Sequence, residues 1–138
     1  LVEQRNTRIA DQWKMVSYEV QVSAGVKPVA TITLSRAEES YSCTEQGGDG
    51  PLDAIFRSIE KITGKSVIVR DFRVQSATRG KDAQGESILE VEYEGKNYRG
   101  RGVSTDTVEA AARAFLNAIN HIEIGAGCAP LAERGRTV

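Results

Sequence analysis

Residues 46–56 and 98–108 say nearly the same thing twice, and that repetition constrains the fold more than any single motif. The first stretch is Gln46-Gly47-Gly48-Asp49-Gly50-Pro51-Leu52-Asp53-Ala54-Ile55-Phe56, a glycine-rich turn entering an amphipathic run. The second is Tyr98-Arg99-Gly100-Arg101-Gly102-Val103-Ser104-Thr105-Asp106-Thr107-Val108. A shift of 53 places Asp53 on Asp106, Ile55 on Val108, Ile59 on Ala112 and Ile62 on Phe115, and a shift of 54 places Tyr18 on Phe72 and Val20 on Val74. Internal duplication points to a pseudo-symmetric binding or assembly module more than to a catalytic pocket.

The periodicity inside each copy is the same. Tyr18–Val22 and Ala30–Leu34 alternate apolar with polar residues, Glu39–Cys43 forms a third extended run, and Ser23-Ala24-Gly25 makes a turn. A helix is predicted after Asp49-Gly50, with Pro51 in its first turn, an apolar stripe of Leu52, Ile55, Ile59 and Ile62, and Gly64 at its end. In the second copy, strands are predicted over Ile68–Val74, Ile88–Tyr93 and Tyr98–Val103, with a loop at Gly80–Gly85 and a hairpin connection at Glu94–Asn97. Ser104 or Thr105 caps a helix through Ile122, with Val108, Ala111, Ala112, Phe115 and Ile119 inside and the pair Glu109 and Arg113 outside. The expected fold is α+β, with two pseudo-symmetric βββα units forming one domain, paired as a dimer. Residues 1–11 read as a linker stub, 12–124 as the domain (repeats at about 12–64 and 66–122), and 125–138 as an aperiodic tail.

Bulk properties narrow the partners. With 138 residues and 40% hydrophobic content, the chain has enough apolar material for one core. A net charge of −1 gives no electrostatic reason to expect nucleic acid or an anionic membrane, and no apolar run approaches a bilayer span. No signal peptide is visible, and a chain beginning at Leu1 reads as an excised fragment. Cys43 and Cys128 have no metal-ligand spacing and read as reduced thiols, consistent with a cytoplasmic protein.

Catalytic chemistry is scarce. His121 is the only histidine, so neither a triad nor a multi-histidine metal site can be assembled around it. Asp49, Asp53, Asp82 and Asp106 are candidate metal ligands by type, but Asp53 and Asp106 fall at helix starts, where the dipole favours a carboxylate. Neither glycine run matches a phosphate-binding fingerprint. Both suit close backbone approach and free N–H groups that can hold a carboxylate.

Three separated motifs carry a family resemblance: Gly48-Asp49-Gly50-Pro51-Leu52-Asp53-Ala54, Gly80-Lys81-Asp82-Ala83-Gln84-Gly85, and Gly100–Asp106 continuing to Asn117-Ala118-Ile119-Asn120. In this order, over about residues 12–122, the chain resembles the C-terminal regulatory (LeuA dimerisation) domain of 2-isopropylmalate synthase. The related domain of citramalate synthase, which would sense isoleucine, is the alternative within this resemblance. A stand-alone small-ligand enzyme or interaction module is the alternative outside it. The resemblance implies an N-terminal TIM barrel elsewhere in the parent, using a divalent metal to condense acetyl-CoA with 2-oxoisovalerate. It implies that this domain itself has no catalytic residues, metal or cofactor, and binds leucine near a two-fold dimer interface to inhibit that barrel. By the same resemblance, the leucine pocket comprises Leu52, Val69, Phe72, Ser76 and Ala83. Gly48 and Gly50 then offer N–H groups to the effector's carboxylate, and Asp49 or Asp53 meets its ammonium. Phe72 stands where relatives often carry Tyr, and Ser76 where they carry a smaller residue, which leaves the choice between leucine and isoleucine open.

Overall fold

A computed structural model describes residues 12–48, 50–76, 84–125 and 127. The chain divides into two units, Leu1–Lys65 and Ser66–Val138. Asp49, the Gly80–Ala83 part of the second motif, and Cys128 lie outside the described residues, as do the predicted linker stub and nearly all of the tail.

The first unit is an antiparallel sheet of β1 (Lys14–Ser23), β2 (Val26–Arg36) and β3 (Glu39–Gln46), in that order, followed by helix α1 (Pro51–Thr63). The alternation seen in the sequence sets which face is buried. Ala30, Ile32 and Leu34 on the central strand are fully buried, as are Ala54, Ile55 and Ile59 on α1, which packs across β2 and β3. Ser58 lies inside this contact, donating its hydroxyl to the Ala54 carbonyl at 2.9 Å with the Ala30 carbonyl at 3.4 Å. Because the helix turns its Ala54–Ile55–Ser58–Ile59 face inward, Leu52 and Ile62 from the predicted stripe are only half-buried. Gly64 ends the helix in the left-handed region (φ 75) and returns its N–H to the Glu60 carbonyl.

The second unit repeats the plan with β4 (Ile68–Ser76), β5 (Gly85–Tyr93), β6 (Lys96–Ser104) and α2 (Thr107–Ile124). Ser87, Leu89 and Val91 on β5 are buried, together with Tyr98, Gly100, Gly102 and Ser104 on β6 and Ala110, Ala111, Ala114, Phe115, Ala118 and Ile119 on α2. Two units of three antiparallel strands and a helix are therefore present, as the sequence predicts.

Superposing the two patterns corrects the register of the repeat. The buried helix positions Ala54, Ile55, Ser58 and Ile59 correspond to Ala110, Ala111, Ala114 and Phe115, a shift of 56 rather than 53. Ile32 pairs with Cys43 as Leu89 pairs with Gly100, a shift of 57 in the later strands. The first strands do keep the shift of 54. Tyr18 opposite Ile32 matches Phe72 opposite Leu89, and a bulge lies at Met15–Ser17 in one and at Val69–Asp71 in the other. The two glycine runs are consequently different devices. Gly48 and Gly50 belong to a turn, whereas Gly100 and Gly102 lie within β6.

Gly100 and Gly102 determine how α2 sits. A Cβ on Gly100 would stand 2.6 Å from the Ala118 nitrogen, and one on Gly102 would stand 2.6 Å from the Ala114 nitrogen. The helix backbone rests directly on the strand, a close approach only glycine allows. Ala110, Ala114 and Ala118 form the matching row of small residues on α2. The helix covers β6 and β5, and the same face of β4 is left beside it.

Candidate effector site

The turn before α1 is folded tightly against the helix. Gly47 donates its N–H to the Pro28 carbonyl at 2.8 Å, and a Cβ there would meet the Gly50 oxygen at 2.5 Å and the Ala54 nitrogen at 2.9 Å. Gly48 donates its N–H to Asp53 Oδ2 at 2.6 Å, and the same oxygen lies 3.3 Å from Arg57 Nε. One of the two glycine N–H groups assigned to an effector is thus already held by a neighbouring carboxylate. Gly50 is the N-cap of α1, with fully extended backbone (φ 170, ψ 179) and no side-chain capping bond. Space around its α-carbon is open, since a Cβ there meets nothing within 4 Å. Leu52 follows at the second helical position, half-buried.

The start of α2 is closed. Asp106 accepts from the backbone N–H of Val108 at 2.9 Å and of Glu109 at 3.4 Å, the capping bonds typical of an N-cap aspartate. Ser104 donates to Glu109 Oε1 at 2.9 Å, and Arg113 Nη2 lies 2.7 Å from Glu109 Oε2. The Arg113 and Ser104 contacts hold the Glu109 carboxyl below the usual glutamate range. Of the two duplicated helix starts, only that of α1 lacks a side-chain cap.

The other predicted pocket residues lie on β4. Val69, Phe72 and Ser76 pair with Val91, Leu89 and Gly85, so they share the helix-side face of the sheet. Residues 69 and 72 would point to opposite faces of a regular strand. The bulge at Arg70 inserts one residue between them and aligns their side chains. Val74, which the sequence pattern aligned with Val20 but did not assign to the pocket, extends the same stripe opposite Ser87. Since α2 sits over β5 and β6, these side chains stay open, Val69 at 40% exposure, Phe72 at 39% and Val74 at 55%. Gly48, Gly50 and Leu52 belong to the first unit and Val69, Phe72 and Ser76 to the second. Ala83 falls outside the described residues.

The opposite face of this sheet is charged and carries three ion pairs among the described residues. Arg70 pairs with Glu92 at 2.8 Å, Arg73 with Asp71 at 2.9 Å, and Arg101 with Glu86. His121 Nδ1 lies 2.5 Å from the Arg99 carbonyl, and Asn117 Oδ1 accepts the Arg101 N–H at 3.0 Å. Two side chains one helical turn apart therefore cover the outer edge of β6. Cys43 is half-buried, and burial together with Glu45 pushes its thiol pKa up, away from reactive thiolate character. Among the described residues no group of three His, Cys, Asp or Glu side chains is placed to hold a metal ion, and no helix is long and apolar enough to cross a membrane.

These features define a duplicated βββα domain whose first unit has an uncapped helix start and whose second unit has an exposed apolar stripe on β4. The chain belongs to the LeuA allosteric (dimerisation) domain family, which it matches over residues 1–123. It is 50% identical over 131 residues to a 2-isopropylmalate synthase of Rhodopirellula baltica, a match covering 94% of this chain and 25% of the relative. It is 38% identical over 125 residues to the 2-isopropylmalate synthase of Heliobacterium modesticaldum, covering 88% and 24%, and 37% identical over 115 residues to that of a Geobacillus species, covering 83% and 22%. The chain spans about a quarter of the length of these relatives.

Proposed function

We propose that this chain is the regulatory domain of a cytoplasmic 2-isopropylmalate synthase, binding leucine at a homodimer interface and so inhibiting a TIM-barrel catalytic domain in the same protein. The family match and the names of the relatives support the enzyme context. The observation that carries the ligand reading is the Val69–Phe72–Val74 stripe, an apolar face that α2 leaves uncovered within its own unit. A branched aliphatic side chain suits such a surface, and a second copy of the domain would close it. The uncapped start of α1, at Gly50 and Leu52, offers N–H groups and the positive end of the helix dipole to a free carboxylate. Asp49 or Asp53 would meet the ammonium, Asp53 by exchanging its bond to Gly48 for one to the effector. Gly48, Ser76 and Ala83 complete the proposed set. Inhibition then requires only that leucine favour one arrangement of the assembly by about 1–3 kcal/mol. The reaction assigned to the parent, joining acetyl-CoA to 2-oxoisovalerate with a divalent metal, belongs to the catalytic part.

Titration calorimetry with leucine, isoleucine, valine and citramalate tests this reading. Saturable binding that ranks leucine first supports it. A preference for isoleucine moves the chain to the citramalate-synthase side of the family, and no binding to any of the four leaves a stand-alone interaction module as the better account.

A further inference from the structure

We draw no further inference here: the strongest candidate, the exposed apolar stripe of Val69, Phe72 and Val74 on β4 beside α2, belongs to the effector and dimer site already proposed, and nothing in the structure points to a different occupant.

Discussion

The carboxylate of Asp53 accepts the backbone N–H of Gly48 at 2.6 Å, so the turn opening α1 is held by a residue of the helix it introduces. Arg57, one helical turn further on, steadies the same oxygen. Asp53→Ala removes this acceptor and a favourable charge in the first turn, and should destabilise the domain by about 1 kcal/mol. Asp53→Asn keeps an acceptor and should cost less. Urea unfolding of the two variants checks the order, and equal stability of parent and Asp53→Ala would show that the contact contributes nothing.

The Gly100 and Gly102 positions should be intolerant of even one methyl group. Gly100→Ala or Gly102→Ala drives a Cβ into the backbone of α2 at Ala118 or Ala114. Overpacking against backbone costs about 1–3 kcal/mol or more, since the helix must shift off the strand. Gly50→Ser, where a Cβ meets nothing within 4 Å and serine is as acceptable an N-cap as glycine, is the control and should change thermal stability little. Similar melting temperatures for all three variants would contradict the packing described for α2.

Much of this was legible in the chain. Alternation marked Tyr18–Val22, Ala30–Leu34 and Ile88–Tyr93, the other three extended runs are also strands, the 3.6-residue stripe gave both helices, and the Tyr18–Phe72 correspondence was in true register. Two features were hidden for physical reasons. Glycine marks both turns and sites of close backbone approach, so Gly100-Arg101-Gly102 resembled Gly48-Asp49-Gly50 although it lies inside β6 under a helix. The β-bulge at Arg70 leaves no mark in a hydrophobicity pattern, yet it places Val69 and Phe72 on one face. The pocket residues came from family resemblance alone. Val74 was recoverable from simple alternation after Phe72.

Phe72 should matter to binding more than to folding. Phe72 is 39% exposed within the chain, so Phe72→Ala should retain the parent's circular dichroism spectrum while weakening leucine binding at least about tenfold, a loss of roughly 1.4 kcal/mol. Unfolding of the variant under conditions where the parent is folded would instead make Phe72 a core residue.

Acid should release the Glu109 clamp. Its carboxyl is depressed in the folded state, first by the hydrogen bond from Arg113 and then by that from Ser104. The associated stability is fully present above the unfolded glutamate pKa of about 4.3 and is lost as pH falls through the lower folded value. Glu109→Gln should therefore flatten the loss of stability below about pH 4.3, as measured by urea midpoints across the acid range. An unchanged acid limb would remove Glu109 from the account.

Gly50→Asp separates binding from folding most directly. The backbone at Gly50 is extended and its surroundings are open, so aspartate fits there and can cap α1 as Asp106 caps α2. Aspartate is among the best N-cap residues, and stability should hold or rise by a few tenths of a kcal/mol. The same carboxylate would take the N–H groups and the space meant for the effector's own carboxylate. Repulsion and competition together should weaken leucine by about 2 kcal/mol, roughly thirtyfold. Calorimetric titration of leucine into the parent and into Gly50→Asp should show saturable binding by the parent and this loss in a variant that remains fully folded. Equal leucine affinity in the two folded proteins, or none in the parent, would contradict the proposal that α1 receives the effector.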